Sequence, residues 1–318
     1  MAHRTKAFIA SSFTCLFIVL VGVLLSDASL AEGQVHAELL GRVTDELSQP
    51  IPGAAATLVE VGTQVSQTRV TDIAGTYGFV GLQPGLYRLV IELVGFRRTV
   101  REGLALHSGE RLRIDVELEI GGLTESVVVT AQTPRLQTES ATLGQVVPRD
   151  QVETLPLNGR NFIQLASLVP GVARPPGSAF PRINGGRPRT NEYIFDGISV
   201  LQPEPGQVPF LPIIEEISEF TVVSNSPSAE FGRFNGGVVN LTTRAGSNEL
   251  SGTAFGFGRH EILNARNAFA PQGPDQSLPR FRRQQHGGVI GGPLRRGQTF
   301  FFVAYQGLGQ EVDRVRIS

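Results

Sequence analysis

Between residues 111 and 120 the chain alternates without a break. Leu112, Ile114, Val116, Leu118 and Ile120 fall on one side, and Arg111, Arg113, Asp115, Glu117 and Glu119 on the other. Side chains of a strand point to opposite faces in turn, so this pattern predicts a strand with one face packed and one wet. Tyr87, Leu89, Ile91 and Leu93 repeat it after the Pro84-Gly85 turn. Pro52-Gly53, Gly75 and Gly81 supply further breaks. Several strands at this spacing over residues 36–120 predict a small antiparallel β-sandwich.

Composition points the same way. The 318 residues include 37 Gly and 20 Pro, with 18% charged residues and a formal net charge of -1. Turn-rich β structure accounts for the Gly and Pro content, and 41% hydrophobic residues are enough for a core. Charge this balanced excludes the basic excess that a nucleic-acid binder carries.

The N-terminus reads as an export segment. Arg4 and Lys6 precede an apolar run from Ala7 to Leu25, and Ser29-Leu30-Ala31 offers small residues at a cleavage position. That is the pattern of a secretory signal peptide over residues 1–31. A membrane-spanning helix is the alternative, against which the small-residue exit argues. Cys15, the only cysteine, lies inside the run. An exported chain cut near Ala31 therefore has no disulfide, cysteine nucleophile or thiolate metal site.

No enzymatic constellation emerges, and no catalytic, metal-binding or cofactor-binding residue is assigned. His260-Glu261 begins a zinc-peptidase pattern, but residue 264 is Asn264 where a second histidine is needed. His3, His36, His107, His260 and His286 show no ligand spacing. Phosphate-binding and nucleophile-elbow motifs are missing. Asn240-Leu241-Thr242 fits a glycosylation sequon by chance.

Residues 136–246 mix helix and strand signals. Pro148 to Thr154 predicts a short helix with Pro156 beyond it, and Asn161 to Leu168 a second, stopped by Pro170-Gly171. Phe162, Leu165, Ala166 and Val169 make its apolar face. Tyr193 to Val200 predicts a hairpin with Asp196-Gly197 as the turn. A helical turn at Ile213–Ile217 leads to strands at 220–223 and 238–243. Beyond residue 247, Ser251, Thr253, Phe255, Phe257 and Arg259 alternate with Gly252, Ala254, Gly256 and Gly258. Gln285–Leu294 and Thr299–Gln306 predict a hairpin across Arg295–Gln298, with residues 264–282 as a loop. Phe300, Phe301, Phe302 and Tyr305 give it the aromatic content of a membrane interface.

Several of these stretches resemble known families. GRVTDELSQPIPGAAATL from Gly41 and TDIAGTYGFVGLQPGLYRLVIELVGF from Thr71 resemble the carboxypeptidase-regulatory-like domain, a non-catalytic seven-stranded sandwich. LPLNGRNFIQLASLVPGV from Leu155, INGGRPRTNEYIFDGISV from Ile183 and IEEISEFTVVSNSPSAEFGRFNGGVVNLTTRAGSN from Ile214 resemble, in order, the plug of TonB-dependent receptors. GGVIGGPLRRGQTFFFVAYQG from Gly287 is similar to an early barrel hairpin of the Oar-like subgroup. The resemblance implies a plug at 136–246 inside a barrel of about 22 strands that begins at 247–318. The fold class expected is mainly β: an N-terminal sandwich, a small α+β plug and an incomplete antiparallel barrel. Three or four strands fit in residues 247–318, fewer than the roughly eight of the smallest barrel. Transport is therefore expected of a longer protein, with this chain as its N-terminal portion or as a soluble remnant.

The resemblance also implies a cell outer-membrane location with the sandwich in the periplasm. Its implied partners are TonB with its inner-membrane energy-coupling proteins, outer-membrane lipid and a solute of unidentified class. Glu125, Ser126, Val127, Val128, Val129 and Thr130 lie in the 121–135 linker where such receptors carry the TonB box. A β-branched stretch on a tether can add as a strand to a partner's sheet edge. An ordinary last strand of the sandwich is the other reading. Arg182, Arg187, Arg189 and Arg244 are expected either to fork onto barrel carboxylates or to lie solvated in loops. The competing function is a periplasmic or surface adhesion protein whose sandwich binds carbohydrate or a protein partner.

Overall fold

The computed structural model describes residues 36–122, 126–130, 142–155, 157–175, 178, 180–187, 189–202, 208–227, 231–232, 234–265 and 280–312. The expected signal segment, residues 266–279 of the expected 264–282 loop and most of the linker lie outside the described residues, and residues 281 and 282 belong to a strand.

Nine strands form the sandwich: β1 Ala37–Thr44, β2 Ala55–Glu60, β3 Ser66–Val70, β4 Thr76–Leu82, β5 Gly85–Glu92, β6 Arg98–Leu106, β7 Arg111–Arg113, β8 Val116–Glu117 and β9 Ser126–Thr130. One sheet runs β4-β1-β7 with β8 also on β1, and the other runs β3-β2-β5-β6-β9. Burial along β1 alternates strictly, as the period-two reading requires. Leu39, Phe79, Leu58, Leu89, Ile91, Leu106 and Leu118 fill the space between the sheets.

The sandwich is not wholly antiparallel. Both β7 and β8 run parallel to β1, and β9 runs parallel to β6. The alternating segment 111–120 is also two short strands. Tyr77 breaks it by donating its hydroxyl to the Ile114 carbonyl at 2.6 Å. Val116 and Leu118 are buried, but Ile120 is 74% exposed, because the chain has by then left the core for a bridge to Phe96.

The central domain holds β10 Leu143–Pro148, α1 Arg149–Thr154, β11 Val172–Ala173, β12 Arg182–Ile183, β13 Glu192–Phe195, β14 Ile198–Ser199, β15 Ile217–Asn225 and β16 Val238–Thr243. Its main sheet is ordered β10-β15-β16-β13-β14, with β13 and β16 parallel. Pro148 caps α1, where its missing N–H costs nothing. The second predicted helix is a 3₁₀ helix at Phe162–Leu168. Asn161 accepts the Ile163 N–H at 3.0 Å to start it, and the Val169 N–H closes it on the Ala166 carbonyl at 3.1 Å. The tighter winding stacks Phe162 over Leu165 on the core side. Phe162 meets Phe220 with ring centroids 5.4 Å apart.

Asp196 and Gly197 both have positive φ, 48° and 82°, which is the turn that twists β13 into β14. The Asp196 carboxylate then accepts the Thr243 N–H at 2.8 Å and the Thr243 hydroxyl at 2.7 Å. The hairpin is thereby tied to the end of β16. Asn240, in the chance sequon, is 6% exposed within that strand.

The C-terminal sheet has three antiparallel strands: β17 Ser251–His260, β18 Phe281–Arg295 and β19 Thr299–Val312. Register sets Phe255 opposite Gly287, and Val289 opposite Ala304. Phe255, Phe257, Gln285, Val289 and Phe302 thus share one face. Ala254, Ile290, Leu294, Val303 and Tyr305 share the other, where Ile290, Leu294, Val303 and Tyr305 are 47–67% exposed. At 15 and 14 residues, β18 and β19 exceed the 10 or so that a spanning strand needs. Among the described residues no helix is long and apolar enough to cross a membrane, which says nothing of strands.

Candidate functional site

The face of the three-strand sheet that carries Phe255, Phe257 and Phe302 meets the central domain through arginines. Arg160 sits in a 3₁₀ turn, Asn158–Arg160, and has φ 57°. Its guanidinium carbon lies 4.1 Å from the Phe257 ring centroid and 5.1 Å from that of Phe255. Its Nη2 donates to Glu215 Oε1 at 2.5 Å, and Glu215 is buried. Two arginines reach back from the sheet: Arg283 donates to the Gly159 carbonyl at 2.9 Å, and Arg259 to Asn158 Oδ1 at 3.2 Å. Three residues of one turn thus receive or supply every one of these contacts.

The arginines expected from sequence are placed differently. Arg244 donates its backbone N–H to the Glu216 carbonyl at 2.8 Å and Nη1 to the Glu215 carbonyl at 3.3 Å, and lies 5.3 Å from the Phe302 ring centroid. Its partners in the sheet and the turn are a ring and carbonyls, where a carboxylate was expected. Arg182, Arg187 and Arg189 are exposed. Sequence reasoning misses Arg160, Arg259 and Arg283. Arg259 shares its alternation with Phe255 and Phe257, and that shared face is the available signal.

The Val-rich segment is an edge strand. Ser126 to Thr130 pair in parallel with Arg98 to Glu102 of β6, Val128 opposite Val100. Glu125 lies outside the described residues. Where β6 ends, the chain contacts the central domain. His107 Nδ1 lies 2.8 Å from Glu219 Oε2, and the Ser108 N–H donates to Glu219 Oε1 at 2.6 Å. Asn240 Nδ2 donates to Ser108 Oγ at 2.9 Å. A second joint is Asn248, whose backbone N–H reaches the Gly62 carbonyl at 3.1 Å while its Oδ1 accepts from the Gly297 N–H at 2.8 Å.

Tyr77, Phe79 and Tyr87 are buried in the sandwich core, where they are not available to stack on a sugar. His260 Nδ1 accepts from the Ile262 N–H at 3.3 Å in a 3₁₀ turn. Among the described residues no cluster of His, Cys, Asp or Glu could hold a metal ion.

Comparison with known proteins finds two family matches within the chain. Residues 38–119 match the carboxypeptidase regulatory-like domain, and residues 242–317 match the outer membrane beta barrel domain. The TonB-dependent transporter Oar of Myxococcus xanthus is 29% identical over 305 residues, covering 91% of this chain. Over most of its length the chain is thus similar to a TonB-dependent transporter. It spans 28% of the length of that curated relative. Among the described residues the structure is mostly strand and forms no closed barrel. Among solved structures it is similar to hydroxyquinol 1,2-dioxygenase from Pseudomonas putida DLL-E4, with 11% identity over 29% of this chain and 58% of that one, TM-score 0.23. It is likewise similar to catechol 1,2-dioxygenase from Acinetobacter sp. ADP1, with 14% identity over 35% of this chain and 60% of that one, TM-score 0.24. Likenesses this partial carry no argument about this chain's fold or chemistry.

Proposed function

We propose that the chain is the gating portion of an outer-membrane receptor for energy-coupled solute uptake. In this reading residues 1–31 direct export, residues 36–120 are a periplasmic sandwich, and residues 121–135 hold the coupling segment. Residues 136–246 are a plug, and residues 247–318 begin the barrel. The observation that carries it is the two-faced sheet β17–β18–β19. From Ile290 toward the β18–β19 turn one face presents aliphatic side chains and Tyr305 outward, as lipid requires, with Arg282, Gln284 and His286 at its far end, and the other face meets the central domain through Arg160. A plug held in a lumen makes that second contact by definition.

Gating needs a seam that is specific yet breakable. Arginine stacked on aromatic rings and bonded to backbone carbonyls provides it without an interdigitated apolar core. Solute would bind outside the cell, and TonB would engage Glu125–Thr130 by strand addition and remodel the plug. Because β9 already lies on β6, that engagement would exchange the pairing with β6 for one with TonB. No covalent chemistry is asked of the receptor.

The test is site-directed crosslinking in the whole receptor. Single cysteines at Ser126, Val128 and Thr130, in a Cys15→Ser background, would be paired with cysteines in the periplasmic domain of TonB. Solute-enhanced disulfides at these positions, with uptake lost in Val128→Pro, are the expected result. Absence of crosslinks alongside undiminished uptake in Val128→Pro would refute the coupling assignment.

A further inference from the structure

The sandwich and the central domain have separate apolar cores that share no residue. What joins them at the end of β6 is polar. Glu219 is 6% exposed and engages both carboxylate oxygens, one with the His107 ring and one with the Ser108 N–H. Asn240 adds a bond to the Ser108 hydroxyl. Register places Asn240 beside Thr221 on the neighbouring strand, and Glu219 two residues before it on the same face. Asn240 Oδ1 and Thr221 Oγ1 are buried and have no protein partner among the described residues.

This chemistry sets the behaviour of the joint. A buried carboxylate is stable only while its donors stay in place. Buried polar atoms without partners are relieved when water reaches them. Closing therefore satisfies Glu219 at the expense of Thr221 and Asn240, and opening reverses the terms. A contact balanced in this way, with no residue shared between the cores, opens as a unit with little effect on either.

We propose that the His107–Ser108 turn is a releasable latch, closed on Glu219, that restrains the sandwich against the central domain. Both bonds converge on one side chain, so a shift of β15 that moves Glu219 breaks them together. The latch is a property of the joint itself and does not depend on TonB coupling or transport.

Amide hydrogen exchange on the full chain in detergent tests it, comparing wild type with Glu219→Ala and His107→Ala. The peptide containing Ser108 is expected to exchange at least about ten-fold faster in Glu219→Ala, with a smaller gain in His107→Ala, while peptides from β5 and β13 keep their rates. Unchanged exchange at Ser108 would overturn the latch. Equal acceleration in the central core would overturn it too, by making Glu219 a folding residue. A second measurement uses spin labels at the exposed positions Ile73 and Leu168 in a Cys15→Ser background. The interlabel distance distribution is expected to broaden in Glu219→Ala, and an unaltered distribution would also refute release.

Discussion

The guanidinium of Arg160 is held between the Glu215 carboxylate, 2.5 Å away, and the ring of Phe257, whose centroid lies 4.1 Å from its central carbon. One side chain therefore closes a buried ion pair within the central domain and stacks on the sheet beside it. Replacing Arg160 with Ala leaves Glu215 buried without its cation, a loss on the order of 3 kcal/mol. Lysine restores the charge but not the planar stack, so Arg160→Lys should recover only part of it. Urea unfolding of the two variants, paired with proteolysis at the Asn158–Arg160 turn, checks the order: wild type, then Lys, then Ala.

Gly197 should resist replacement more than its small size suggests. Its φ of 82° is closed to most side chains, and the turn it makes presents Asp196 to Thr243. Gly197→Ala is expected to cost about 1–2 kcal/mol. Asp196→Ala removes two hydrogen bonds and should cost at least as much, about 2 kcal/mol. Denaturant midpoints of both variants and of wild type decide the matter.

A methyl group at Gly41 would overlap the Ile114 carbonyl oxygen and come within 2.7 Å of the Tyr77 hydroxyl. These are the two groups that bond to each other where the last segment crosses β1. Gly41→Ala should unfold the sandwich selectively, by about 3 kcal/mol or more. Loss of protection in β1 and β4 with retained protection in β15 and β16 is the signature to measure by hydrogen exchange.

Stability should fall in alkali. Burial pushes the Tyr193 phenol up to about 12, and burial likewise raises Tyr77 and Tyr87. In the unfolded chain tyrosine titrates near 10, so between roughly 10 and 12 the unfolded state loses a proton that the folded state keeps. The contribution is complete below about pH 10 and disappears as pH rises through the folded value, by at most about 1.4 kcal/mol per group per pH unit. Urea midpoints at pH 9 and pH 11 should differ, and Tyr193→Phe should narrow the gap.

Period-two alternation was legible because it is local. It located β5 and β17, and Asp196-Gly197 announced its hairpin for the same reason. The parallel pairings of β7, β8 and β9 were not legible, since nothing in a strand's own residues fixes the direction of its neighbour. Arg160 was hidden by its context, a short turn whose partners lie about 55 and 97 positions away in the chain. The expected arginines at 182, 187 and 189 rested on residue type alone, and residue type does not distinguish a seam from an exposed loop.

The separation of the two cores has a consequence for how such chains change over generations. A leading sandwich that shares no apolar residue with the central domain can be gained, lost or exchanged by recombination in the linker without reopening the second core. The scar of such an event would be small and identifiable: a carboxylate at position 219 turned from the interior to water. Descendants that had shed the module would be free to replace that glutamate, and those that kept it would not.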